Sequence, residues 1–332
     1  MVSRYIIIIL SLLLFTESYS QVKRKRTAIL MGGQFEITIV APDSISAEKN
    51  IDIVIAEIDR IENLISDWKP TTQVSQVNAH AGIKPVKVDK EVLDLTERAL
   101  AISRITDGAF DISFAAMEKI WYFDGSMTEM PSPEAIKKAV ANVGYQNIEI
   151  NKDSSTLFLK RKGMKIGFGA LGEGYAADKC KALMMAKGIT AGIVNATGDI
   201  NAWGKQPNGE PWNIGINDPF KDNELIAVMP LNGAITTSGS YEKYVMLNGK
   251  RYAHIINPAT GYPATGLTSV TVTGLSTEMA NALSTSLMVL GKKKGLRLMQ
   301  SFPDYKCFMI SDKGKYYTSK GFSLKLFRLK DS

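Results

Sequence analysis

The chain reads as an α+β (mixed α/β) protein, one interleaved two-lobed unit of antiparallel-rich sheets and packed helices. Three observations predict this. Apolar residues at helical spacing are interspersed with short runs that alternate like strands. Strand runs and hairpins outnumber strict β-α-β alternation, which favours antiparallel sheet. No fixed-period repeat and no Pro/Ser/Gly-rich linker divides the 332 residues, so the two lobes are interleaved rather than strung in series.

The elements follow in order. Arg4 precedes a largely apolar run from Ile6 to Phe15, interrupted by Ser11, then Ser18-Tyr19-Ser20 and the basic stretch QVKRKR. Spanning a bilayer takes about twenty residues, so this shorter run reads as a secretory signal cleaved after Ser20. The expectation is an exported protein, most simply periplasmic, with residues 21–332 as its mature domain. With no cysteine near the cleavage point, no lipid anchor is expected. Residues 34–40 (QFEITIV) alternate as a strand. Ser46 is expected to cap a helix whose apolar face runs Ile51, Val54, Ile58, Ile61, Ile65. A second helix covers about Glu91 to Ile105. Ser132-Pro133-Glu134 starts a third, with cap, first-turn proline and an acid at the positive dipole end. Residues 147–162 read as two short strands around Lys152-Asp153-Ser154-Ser155. A helix runs from Gly172 to about Lys187, followed by a buried strand, AGIVNA. Short β segments dominate from Trp212 to Gly274. A last helix spans about Thr277 to Leu290, and three terminal strands (KCFMIS, KYYTS, SLKLF) complete the chain.

Composition excludes several classes. Hydrophobic residues make up 45% and charged residues 22%, enough for a core and unlike a disordered or collagenous chain. The net charge of +7 is spread out, with its longest basic run at Lys23 to Arg26, so no nucleic-acid partner is expected. Positive surface can equally attract an anionic small molecule. Two cysteines, Cys180 and Cys307, exclude a disulfide scaffold and a thiolate metal cage; spacing leaves open whether they pair. Two histidines, His80 and His254, exclude a multi-histidine metal site.

Four segments look like parts of a site. Gly167-Phe-Gly169-Ala-Leu-Gly172 matches G-x-G-x-x-G and opens a helix. Such a turn either admits a pyrophosphate to a helix N-terminus or simply packs helix on strand. A dinucleotide unit would want an acid about twenty residues on. Asp199 lies further than that and an antiparallel hairpin precedes the motif, which demotes a nicotinamide-dependent oxidoreductase. Thr236 to Tyr241 and Asn257-Pro258-Ala-Thr260-Gly261 supply turns rich in hydroxyls and glycine, suited to phosphate or to ordinary turn chemistry. His254, within an apolar strand, reads as a half-buried histidine or as a general base. Asn281 and Thr285 are four apart on the last helix, so both oxygens can face one spot. Around Thr106 to Asp111, with Trp68 and Met31 upstream, an aromatic ring and a thioether could bracket a flat heterocycle.

In combination these segments resemble the ApbE-type FAD:protein FMN transferases. The resemblance runs from Met31-Gly32-Gly33 through Trp68, Ser75-Gln-Val-Asn78, TDGAFD at 106–111, GALGEGYAADK at 169–179, NATGDI at 195–200, TTSGSYEKY at 236–244, GKRYAHIINPATGYP at 249–263 and SVTV at 269–272 to the helix after Asn281. It implies FAD as substrate and Mg2+ on its pyrophosphate. The partner is an acceptor flavoprotein whose Thr or Ser hydroxyl takes FMN as AMP leaves; some members hydrolyse FAD instead. By family position Met31, Trp68, Ala109, Phe110, Asp111, Gly167, Glu173 and Ile256 contact FAD. The Ala170 carbonyl, the side chain at 281 and Thr285 hold the metal, and His254 assists deprotonation of the hydroxyl. The chain departs from the pattern at Asn281 and Ser284, where carboxylates are usual, and at Gly167. A formal charge is thus missing from a magnesium shell, and weaker Mg2+ binding is expected. An FAD-binding or storage protein, or an FAD pyrophosphatase, is the alternative.

Overall fold

The computed structural model describes residues 21–241 and 243–326. The expected signal, residues 1–20, lies outside the described residues. Its largest sheet has eight antiparallel strands in the order β1-β2-β6-β7-β10-β13-β14-β15. These are β1 (Val22–Leu30), β2 (Gly33–Ala41), β6 (Ala191–Ala196), β7 (Asp199–Trp203), β10 (Gly233–Gly239), β13 (Leu267–Gly274), β14 (Lys306–Ser311) and β15 (Tyr316–Thr318). The helices are α1 (Ser44–Ile65), α2 (Gln73–Ala79), α3 (Lys90–Ile105), α4 (Pro133–Ala139), α5 (Gly172–Ala186) and α6 (Thr277–Met299). Smaller sheets are formed by β3 (Val86–Lys87), β5 (Thr156–Leu159) and β4 (Ile148–Asn151); by β16 (Lys325–Leu326), β9 (Leu225–Leu231) and β8 (Trp212–Asn217); and by the hairpin of β11 (Tyr244–Leu247) with β12 (Lys250–Ala253).

The period-two pattern of β2 explains the layering. Phe35, Ile37 and Ile39 face a core shared with Ile51, Val54, Ile58 and Ile61 of α1 and with α5. Val40 points the other way, into a second core with Ala202, Trp212, Ile226 and Phe308 that β8 and β9 cover. A third core joins Ala280, Leu283 and Leu287 of α6 to Val270 and Val272 of β13. A fourth, around Trp121, Ile136, Val245 and Leu247, anchors the β11–β12 hairpin.

The structure corrects several expectations. The cap of α1 is Asp43, not Ser46. Asp43 has extended backbone, its carbonyl accepts the Ala47 N–H at 3.0 Å, and its carboxylate accepts the Ser46 N–H at 2.8 Å. The basic stretch after residue 20 is itself a strand. Among the described residues β1 pairs with β2 alone, and its charges protect an open sheet edge. Helix α6 breaks its regular path at Gly291, one residue beyond the expected end, where φ is +69°, and then continues to Met299. Among the described residues every strand pairing is antiparallel. No β-α-β nucleotide unit stands behind the glycine motif, which removes the basis of the nicotinamide reading. Cys180 and Cys307 are both buried and unpaired, in separate cores.

Candidate functional site

The site is assembled around the start of α5. Leu171 occupies the N-cap position with no side-chain cap, so the positive end of a 15-residue helix carries no capping oxygen of its own. The approach to it is held by Asn78, whose side chain donates to the Ile166 carbonyl at 2.9 Å and accepts the Ile166 N–H at 2.7 Å. That reciprocal pair gives the Ser75–Asn78 motif a structural role. Gly174 lets α5 approach α6 closely, since a Cβ there would lie 2.7 Å from the Thr277 carbonyl oxygen.

Met31, Trp68 and Glu173 come together at one small cavity of about 40 Å³, with Asp67, Phe168 and Gly169 on its walls. Met31 has φ +52° in the β1–β2 turn, and Trp68 is 61% exposed, so its ring is open to a flat ligand. Gly167 joins this wall to the Thr106–Asp111 segment, its N–H donating to the Ile112 carbonyl at 3.0 Å. Ala109 and Phe110 are buried there. The Asp111 carboxylate is occupied internally. It accepts from the Ser113 N–H at 2.7 Å, the Ser113 hydroxyl at 2.6 Å and the Tyr145 N–H at 2.9 Å. Burial raises its pKa, and these donors oppose the rise.

Beside α5 stand two carboxylates. Glu173 accepts from the Thr197 hydroxyl, and burial pushes its pKa up. Asp199 accepts from the side-chain amide of Asn281 on α6. Burial drives Asp199 well above the usual carboxylate range, and the charge of Glu173 drives it further. One helical turn along α6, the Thr285 hydroxyl lies 3.4 Å from the Ser238 hydroxyl, and Ser284 lies 2.8 Å from the same oxygen. Ala170 sits two residues before α5 begins. Asn281 and Thr285 lie one turn apart on α6, the first bound to Asp199 and the second 3.4 Å from the Ser238 hydroxyl.

His254 and Ile256 stand on a separate wall. The His254 Nδ1 is 3.2 Å from the Lys243 carbonyl, and its ring meets Phe123 edge-on. Ile256 bridges to Pro263 and packs against the Trp121 core. Three residues in this region carry roles that the sequence reading did not assign. Asp199 receives the Asn281 amide. Thr197 ties down Glu173, and Asp178 receives the Ser276 hydroxyl and the Thr277 and Glu278 N–H groups at the start of α6. The signal for the first two was the NATGDI turn, in which Thr197 and Gly198 both have positive φ.

An antiparallel α+β scaffold sets the start of α5 against the start of α6, and the uncapped end of α5 is of the kind that attracts anions. The particular lineage follows from comparison. The ApbE family model matches residues 31–309, and the chain belongs to that family. A relative from Klebsiella pneumoniae (strain 342) named FAD:protein FMN transferase is 33% identical over 277 residues, 81% of this chain and 79% of its own. Another of that name from Salmonella typhimurium is 30% identical over 309 residues, 85% and 88% of the two chains. The crystal structure of the ApbE protein from Thermotoga maritima superposes with a TM-score of 0.81 at 30% identity, covering 90% of this chain and 97% of that one. The apo flavinyl transferase ApbE from Pseudomonas stutzeri gives 0.78 at 28% identity, covering 90% and 95%.

Proposed function

We propose that this protein transfers the FMN moiety of FAD to a Thr or Ser hydroxyl of a partner flavoprotein, with Mg2+ on the diphosphate, after export from the cytoplasm. The observation that carries the reading is the uncapped start of α5, whose Glu173 acts on Asp199, the acceptor of the Asn281 amide, in a chain whose relatives are named FAD:protein FMN transferase. Magnesium prefers hard oxygen donors and keeps several waters. The Ala170 carbonyl, the Asn281 amide oxygen and the Thr285 hydroxyl are such donors, so the residues fit the ion. Bound there, Mg2+ supplies neutralisation of charge on the diphosphate.

The chain's own residues supply position and proton handling. The α5 N-terminus meets phosphate oxygens, while Met31 and Trp68 hold the isoalloxazine. The acceptor hydroxyl oxygen attacks the flavin-side phosphorus. A new P–O bond forms, the bond to the bridging oxygen breaks, and AMP departs with that oxygen. A carbonyl only accepts, so Lys243 holds the His254 tautomer with hydrogen on Nδ1. In that tautomer Nε2 is the nitrogen that takes the hydroxyl proton.

Incubation of residues 21–332 with FAD, Mg2+ and an acceptor domain should add FMN to one Thr or Ser, read by mass spectrometry, with equimolar AMP. Failure across several acceptors overturns transfer. AMP without an adduct would mean hydrolysis, and FAD retained without AMP would mean storage. His254→Ala should lower the transfer rate about 100-fold while FAD binding persists; near-native transfer would remove its assigned role.

A further inference from the structure

We propose that Asp199 is the positioning residue of the metal site: it turns the Asn281 amide toward the cation and supplies the negative charge of the shell. This rests on the function proposed above. Asp199 is 8% exposed, and its carboxylate receives the Asn281 Nδ2. An amide can meet a carboxylate only through its NH2 group, because the reverse orientation sets two acceptors face to face. Asp199 therefore fixes which way the amide points, and Oδ1 is directed away from it.

The surrounding charge supports the second half of the claim. The charges acting on Asp199 are both negative, those of Glu173 and Asp178. Asp178 is already engaged by the Ser276 hydroxyl, two backbone N–H groups at the start of α6 and the Asn201 amide at 2.7 Å. Glu173 is held by the Thr197 hydroxyl, and the Lys243 charge acts on it. Among the described residues the hydrogen-bond donor to the Asp199 carboxylate is thus the neutral Asn281 amide, with Glu173 and Asp178 adding negative charge. A buried carboxylate in that state is stabilised by a cation, and a hard divalent ion at the adjoining oxygen donors supplies one. Asn281 and Asp199 then act together as one ligand-and-counterion pair, divided between α6 and the start of β7.

The test is a double-mutant cycle on the mature protein saturated with FAD, titrating MgCl2 by calorimetry, with FAD binding measured separately by flavin fluorescence. Asp199→Asn should weaken Mg2+ binding about 10- to 100-fold, as loss of a group orienting a metal ligand does. Asn281→Asp alone should change it by less than about threefold, since the charge is already present. The exchange Asp199→Asn with Asn281→Asp should return affinity to within about threefold of the native protein, a rescue that a merely structural role would not produce. Native Mg2+ affinity in Asp199→Asn overturns the proposal, as does an exchange variant no better than that single one. Should Asp199→Asn fail to fold, the exchange variant decides alone: it is expected to fold and bind Mg2+, and weak binding overturns the proposal. FAD binding by the native protein without Mg2+ binding also sinks this inference, whereas absence of FAD binding sinks the proposed function and this inference with it.

Discussion

Helix α5 touches two groups of carboxylates that the chain treats in opposite ways. In one, Arg60 forks onto both Glu57 and Glu91, Tyr175 donates to Glu91 at 2.5 Å, and Arg98 holds Glu278 through two bonds of 2.7 and 2.9 Å. In the other, Glu173 and Asp199 receive a hydroxyl and an amide. The first group is closed on its own cations, so its energy goes into joining α1, α3, α5 and α6. Among the described residues the second group has no guanidinium partner, and burial disfavours its charged forms, a penalty that an incoming cation relieves. Partner type, rather than the number of acids, separates scaffold from site here.

The largest test of that contrast moves both groups at once. Gly174→Ala drives a methyl into the backbone of Thr277, and nothing flexible is there to yield. It should cost about 3 kcal/mol in thermal or urea unfolding, the upper end for overpacking. Unchanged stability would mean that the two helices can separate freely. Next in size, Arg98→Ala leaves Glu278 nearly buried without its guanidinium. A fully buried pair would cost 3–5 kcal/mol, and the partly exposed Arg98 brings the expectation to about 2 kcal/mol. Transfer activity of the folded fraction should be retained, because this group belongs to the scaffold; a selective loss of activity would dissolve the distinction.

The smallest effect has opposite signs in the two groups. Arg60 holds Glu91 below the usual carboxylate range, so its stabilisation is present above the ordinary value near pH 4 and is lost as pH falls through the lowered one. Asp199 and Glu173 are raised, so between the ordinary and raised values the native state binds more protons than the unfolded one, and stability falls as pH rises. In metal-free melts from pH 5 to 8, Asp199→Asn should flatten such a decline. Glu91→Gln should lower stability throughout that range, a deficit that disappears only in acid. Parallel profiles for the two variants would show that the groups are not distinct.

Much of this molecule is visible in the order of residues because local patterns carry it. The stripe from Ile51 to Ile65 is α1, the alternation of QFEITIV is β2, and Gly291 marks where α6 loses regular helix. Met31, Trp68 and Glu173, which the family resemblance sets against FAD, line one cavity. Other features hide from local reading. The charges of β1 mask a strand whose pairing with β2 supplies the missing reason for it. Asp43, Ser44 and Ser46 all have capping chemistry, and only the backbone conformation selects Asp43. The donors that hold the Asp111 carboxylate include the Tyr145 N–H, 34 residues further on, which no local pattern announces.

Periodicity, turn residues and ordered motifs alone determined the fold class, the main helices and the family resemblance, since each depends on neighbours close in the chain. Tertiary structure alone decided that Asp199 meets Asn281 across 82 residues, that Arg98 meets Glu278 across 180, and thus which acids are neutralised. Charge pairing is set by distance in space. The strand order and the helix approach at Gly174 create that distance, and no local pattern encodes it.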